Sequence, residues 1–270
     1  MMIQHETPKL AIVCAGGGTS CSYSGGALSA LAQEQGLVRP DFMIAASGSA
    51  GSALYYLTGQ YECIHRTWTQ HICSPRFLSF RRMRKMMDID YLVDTIIRKT
   101  EPLDLDKLAG VHTRFFIGVK NAATGKGRYI SCREQLDIHE VLRAAKALPF
   151  FYGRKVKIGD EFFTDSAFII TKEHGVSKAL ELGATHILVL EINSRNHTGF
   201  QSLAGKIVSH LGGKKPKHDS HGVKILRLGP DKNPAPPVTR NPRLLKASFD
   251  KGYGDVRDNA ELRAFLEPFV

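Results

Sequence analysis

The amino-acid sequence predicts a three-layer α/β/α fold with a mainly parallel central sheet. Two consecutive strand–turn–helix units occupy the first 57 residues, and another α/β step closes the first two thirds of the chain. The hydrophobic fraction, 43% of 270 residues, is ample for a buried core between such layers. The length suits one α/β domain over 1–270, with a core at about 9–193 and a C-terminal extension at about 194–270.

The first unit is the apolar run Leu10 to Cys14, the glycine cluster Gly16-Gly17-Gly18, and a helix carrying Gly26 to Leu31. The second is Phe42 to Ala46, then Ser47-Gly48-Ser49-Ala50-Gly51, then a helix from Ala53 to Leu57. Residues 61–100 read as helical. Strands are expected at Arg114 to Val119 and Arg128 to Ser131, and a helix at Ile138 to Ala147. Val156 to Ile158 and Glu161 to Thr164 flank Gly159-Asp160, a hairpin signal. A helix from Lys172 to Leu182 and a strand from His186 to Glu191 make the further α/β step. Gly212 to His221 reads as a loop and Val223 to Leu228 as a last strand. The five prolines between Pro230 and Pro242 predict an extended surface connection before a terminal helix from about Arg243 to Leu266.

Composition narrows the partners. The net charge of +11 favours anionic surfaces, and an anionic membrane fits better than nucleic acid, for which no binding motif is found. Cations interleaved with Phe77, Phe80 and Met83 make Arg76, Arg81, Arg82, Arg84 and Lys85 the expected membrane contacts; a solvated helix face is the alternative. Neither a secretory signal nor an apolar span is present, so the expected location is cytoplasmic, peripheral at the membrane. The cysteines, Cys14, Cys21, Cys63, Cys73 and Cys132, are odd in number and match no zinc spacing, so reduced thiols and no metal are expected.

Three segments carry candidate chemistry. Ser47-Gly48-Ser49-Ala50-Gly51 suits a nucleophile elbow, because every residue from Ala45 to Ala53 is Ala, Ser or Gly and a sharp strand-to-helix turn needs small neighbours. Matching Ser49-Ala50-Gly51 to the Gly-x-Ser-x-Gly register selects Ser49 as nucleophile, with Ser47 in the first glycine's place. A small-residue turn that merely packs helix on sheet is the alternative. Gly16-Gly17-Gly18-Thr19 is a backbone nest for an oxyanion or phosphate, or a flexible turn. A nucleotide site is disfavoured because no Gly-Lys-Ser/Thr follows. Asp165, after the apolar Phe162-Phe163, is a candidate base whose burial would raise its pKa, or a turn cap.

Together these segments resemble the patatin-like phospholipase family, which pairs a glycine-rich oxyanion loop with a serine elbow and a later Asp-Gly-Gly or Asp-Gly-Ala. Gly26-Ala27-Leu28-Ser29-Ala30-Leu31 is similar to its Gly-Val-Leu-x-Ala-Leu, and Ala144-Ala145-Lys146-Ala147-Leu148-Pro149 to its Ala-Ser-x-Ala-x-Pro. Leu182-Gly183-Ala184 resembles its Leu-Gly-Ala strand entry. The chain departs from the pattern at Ser20 and Cys21, where the family usually carries Arg or Lys and then Gly, and at Ser47 and Ser166.

The resemblance implies a lipid acyl hydrolase acting on a phospholipid, lysophospholipid or other acyl ester without a cofactor. It implies a Ser49–Asp165 dyad, an acyl-serine intermediate, and an oxyanion hole at Gly16, Gly17, Gly18 and Thr19. His174 and His186 follow Asp165 in triad order and read as structural. A patatin-fold protein that binds lipid or a partner without turnover is the rival reading.

Overall fold

Leu10–Cys14 forms β1, and every one of its side chains is buried. Alternate residues feed two cores. Leu10, Ile12 and Cys14 pack with Leu28, Leu54 and Leu142, whereas Ala11 and Val13 pack with Val176 and Ala179. A strand buried on both faces needs a helical layer on each side, which is the predicted three-layer arrangement. The computed structural model describes residues 7–83, 85–167, 169–193 and 222–270.

Around β1 the sheet runs in the order β5-β6-β3-β2-β1-β7-β8, with β4 also paired to β3. The other strands are β2 (Phe42–Ala46), β3 (Arg114–Asn121), β4 (Gly127–Ser131), β5 (Val156–Ile158), β6 (Glu161–Asp165), β7 (His186–Leu190) and β8 (Lys224–Leu228). The pairs β1–β2, β1–β7, β2–β3 and β7–β8 are parallel. The pairs β3–β4, β3–β6 and β5–β6 are antiparallel. On the larger core face lie α1 (Ser22–Gln33), α2 (Ser49–Leu57), α5 (Ile138–Lys146) and α7 (Pro242–Arg257), while α6 (Lys172–Glu181) covers the other. Among the described residues the other α-helices are α3 (Tyr61–Arg66), α4 (Leu105–Ala109) and α8 (Ala260–Leu266).

Three expectations change in detail. Helix over 61–100 is interrupted: α3 continues as a π-helical turn, Thr67–His71, and a second π-helix spans Tyr91–Thr100, with turns and an isolated Leu78–Met87 bridge between them. Pro75 accounts for the break, since proline removes a donor and disfavours helix in the residue before it. The terminal helix divides at Asp258, where the Asn259 side chain accepts from the Leu262 amide and starts α8 afresh. The proline-rich connection is more than a surface strap, because Ala235 is buried against the glycine loop. Gly212 to His221 lies outside the described residues. Among the described residues, no helix is long and apolar enough to cross a membrane.

Candidate active site

Only Ser47 and Gly48 separate the end of β2 from the start of α2. To turn that sharply, Ser47 adopts φ +51, a left-handed conformation that costs a non-glycine residue on the order of 1–3 kcal/mol. Gly48 has no room for a side chain: a Cβ there would lie 2.5 Å from the Gly18 carbonyl oxygen and 3.0 Å from Cys21 Sγ. The turn therefore falls within Ala45-Ala46-Ser47-Gly48-Ser49, with a small residue two places to either side of Ser47.

From this turn Ser47 Oγ donates a 2.7 Å hydrogen bond to Asp165 Oδ2. Sheet register explains the meeting. Ala46 pairs with Gly118 of β3, and the next β3 residue, Val119, pairs with Asp165 at the end of β6. The two groups reach each other across the end of β3. Asp165 is buried, and its Oδ1 accepts from the Ala167 amide at 2.7 Å. Burial raises its pKa to about 6, against the opposing pull of the Ser47 and Ala167 hydrogen bonds and the Lys146 charge. A carboxylate so poised near neutrality suits a general base.

Ser49 occupies a different place. As the first residue of α2 it is fully buried, and its hydroxyl donates to the Ala15 carbonyl at 2.7 Å, fastening the helix to the glycine loop. The serine bonded to Asp165 is thus Ser47. The difference from the sequence expectation arises because β2 ends at Ala46, so the bend comes two residues before the Ser-x-Gly match.

Along the loop, the amides of Gly17, Gly18 and Gly48 have no hydrogen-bond partner among the described residues. The Thr19 amide is engaged: it donates to the Pro237 carbonyl at 2.9 Å, while its hydroxyl donates to Pro236 O at 2.7 Å. Ser20 is fully buried and donates to Ala235 O at 2.8 Å, and Asn233 Nδ2 returns a bond to Ser20 O at 3.0 Å. The proline-rich segment thereby braces the loop at the position where the family usually carries a cation.

Ser47, Gly48, Gly18, Lys146 and Asp165 line one cleft. Its other lining is mostly apolar, with Ile64, Trp68, Ile72, Phe77, Leu92 and Ile97 among it. Trp68 turns its indole N–H to Ser52 Oγ at 2.8 Å, which leaves its ring as apolar wall.

The family model for patatin-like phospholipases matches residues 12–171, which span Gly16 to Gly18, the elbow and Asp165. The chain belongs to the patatin-like phospholipase family. No curated protein matches the sequence. Among solved structures, VipD from Legionella pneumophila is similar at 12% identity and a TM-score of 0.47, covering 96% of this chain and 67% of that one.

A buried cation also stands beside the elbow. Lys146, at the variable position of Ala-Ser-x-Ala-x-Pro, is buried beside the elbow. Its Nζ donates to the carbonyls of Ser47 at 3.0 Å and Gly48 at 3.3 Å. Burial lowers its pKa to about 8, and the neighbouring Cys21 and Asp165 oppose that shift. A lysine at the C-terminal end of a helix reads as a solvated charge, so only the fold reveals its position.

Of the basic residues proposed for membrane contact, Arg76 lies over the Tyr91 ring at 4.5 Å. Arg82 pairs with Asp88 at 3.5 Å, and Lys85 pairs with both Asp88 and Asp90 at 2.9 Å. Arg81 is exposed, and Arg84 lies outside the described residues. Beside the exposed Arg76 and Arg81 the segment also presents apolar groups outward: Phe80 is 66% and Met83 88% exposed. Phe150 is 86% exposed on a neighbouring turn joined by the Met87–Phe151 backbone bond.

His174 and His186 are both engaged away from Ser47 and Asp165. His174 takes part in the capping box of α6 with Thr171. His186 packs edge-on against Phe265 and Phe269 and pairs with Leu10, at the end of β1 remote from the elbow.

Proposed function

We propose that this protein hydrolyses lipid acyl esters through Ser47 as nucleophile and Asp165 as base. The observation that carries the reading is the 2.7 Å Ser47–Asp165 bond at a left-handed strand-to-helix turn, where both residues line an apolar cleft. Asp165 accepts the hydroxyl proton as Oγ attacks the ester carbonyl. The unpaired amides of Gly17, Gly18 and Gly48, with the positive end of α2, stabilise the oxyanion. The tetrahedral intermediate collapses, and the alcohol leaves with the proton held by Asp165. Water, deprotonated by Asp165, then releases the fatty acid from acyl-Ser47. The apolar cleft favours an acyl chain, since each buried methylene contributes about 0.8 kcal/mol.

The family's Ser-x-Gly spacing supports a second assignment, with Ser49 as nucleophile. Turnover of p-nitrophenyl butyrate decides between them. Ser47→Ala is expected to lower kcat by about 10³-fold or more, and Ser49→Ala to retain most of it. The converse result favours Ser49, and no turnover by the folded wild type on short or long esters favours the binding-only reading. Membrane contact is proposed through Phe80, Met83 and Phe150 near the cleft, with Arg81 adding attraction to anionic headgroups.

A further inference from the structure

The proposed acyl-hydrolase mechanism makes no use of the nearest buried cation, Lys146. Its side chain leaves the last turn of α5 and ends among groups that belong to the site. It donates to the carbonyls of the two elbow residues, Ser47 and Gly48, and lines the same cleft as Ser47 and Asp165. Burying an ammonium without compensation costs several kcal/mol. Here the compensation is local: two carbonyl acceptors, and the carboxylate of Asp165 close enough to favour the charged form. Desolvation alone would drive Asp165 and Lys146 both toward neutrality, which would leave the dyad without a base.

We propose that Lys146 is a positioning residue of the Ser47–Asp165 pair, a buried ammonium that pins the Ser47 and Gly48 carbonyls and adds a positive charge beside Asp165. This rests on the acyl-hydrolase reading and deepens it. The family's usual cation beside the glycine loop is absent, and Ser20 in its place is bonded to Ala235. Lys146 brings a positive charge to the elbow from α5 instead. The ionisable groups facing it are Asp165 from β6 and Cys21 from the turn before α1, and Lys120 of β3 also acts on Asp165. Cys21 stays a thiol at neutral pH, its pKa raised by burial to about 11, so Asp165 is the counter-charge.

The consequence is a working window. Activity needs Asp165 deprotonated, which holds above about 6, and Lys146 protonated, which holds below about 8. A neutral amine keeps at most a weaker hold on the two carbonyls and no longer favours the carboxylate. The pH profile of kcat/KM is therefore bell-shaped, with the alkaline limb belonging to Lys146.

Three measurements test this: pH–rate profiles of wild type, K146M and K146R on p-nitrophenyl butyrate; their thermal melts; and the Lys146 Cε chemical shift in 13C-lysine-labelled wild type. K146M replaces a buried charge with an apolar chain of similar length; it leaves Asp165 without its counter-charge and is expected to melt below wild type, so rates are compared at a temperature where the melt shows it folded. Its kcat should fall about tenfold or more with KM changed less than about threefold, its acid limb should move upward, and its alkaline limb should disappear. K146R should regain part of the rate. The Cε resonance should titrate near 8 rather than at the ordinary value of about 10.4. A folded K146M with wild-type kcat and an intact alkaline limb overturns the proposal, as does a Lys146 titration near the ordinary value. If Ser47→Ala retains turnover, the functional reading fails first; if it is inactive and K146M is unaffected, only the Lys146 proposal fails.

Discussion

Ser47 and Asp165 lie 118 positions apart in sequence and share a 2.7 Å hydrogen bond. The contact is set by the single strand between them: β3 pairs Gly118 with Ala46 on one side and Val119 with Asp165 on the other. The proposed nucleophile and base are thus held by backbone register rather than by flexible loops, the rigid positioning that proton transfer requires.

Ser49 should behave as a structural residue. Ser49 is fully buried and its hydroxyl satisfies the Ala15 carbonyl, so Ser49→Ala should destabilise the protein by about 1–3 kcal/mol in urea unfolding. Activity measured where the variant remains folded should stay near wild type.

The acid side of the pH profile reports Asp165. Its pKa is raised in the fold, so protonation removes the base as pH falls through about 6. kcat/KM should drop tenfold per pH unit below that point, and Asp165→Asn should be inactive at every pH. The linked stability has the opposite sense: the raised pKa makes Asp165 favour folding at low pH, and that contribution is lost as pH rises from about 4 to about 6. Asp165→Asn should flatten this part of the stability–pH curve.

The segments that were legible and those that were not divide on physical grounds. Leu10 to Cys14, Phe42 to Ala46 and the Gly159-Asp160 hairpin were readable because continuous apolar runs and a turn dipeptide are local signals. Asp165 was readable from its place after Phe162-Phe163. The choice between Ser47 and Ser49 was not, because small residues fill Ala45 to Ala53 and only the end of β2 fixes where the chain bends. Lys146 and the brace on Ser20 were hidden for another reason: each depends on partners far away in sequence, Ser47 and Ala235.

The brace predicts the outcome of restoring the family's cation. Ser20 is fully buried and bonded to Ala235, so an arginine there must displace the proline-rich segment. Ser20→Arg should lose about 3 kcal/mol or more of stability, through overpacking and an unpaired buried charge. Asn233→Ala tests the same brace more gently. It removes bonds to Ser20 O, Ile192 O, the Ala235 amide and Ser248 Oγ, and should cost about 1–3 kcal/mol.

Acyl-chain preference should follow the apolar wall. Leu92→Trp fills part of the cleft from its apolar lining. It should leave butyrate hydrolysis within about threefold while lowering the rate on a dodecanoyl ester by about tenfold or more, because displacing only two buried methylenes is worth about 1.6 kcal/mol. Parallel losses on both esters would place the acyl chain elsewhere.

Vesicle flotation tests the proposed membrane face. Phe80→Ser with Met83→Ser should weaken binding at both low and high salt, since apolar insertion is not screened, whereas Arg81→Gln should matter only at low salt, where surface charges act beyond about 10 Å. Unchanged binding by the double variant would remove this surface from the account.

The central claim is that Ser47 is the activated nucleophile, and labelling with a fluorophosphonate tests it most directly, because the reagent phosphonylates only an activated serine. Tandem mass spectrometry of the labelled peptide separates Ser47, Ser49 and Ser52 by fragment mass. One adduct is expected, on Ser47, and none in Asp165→Asn. An adduct on Ser49, or an unlabelled wild-type protein that is fully folded, would contradict it.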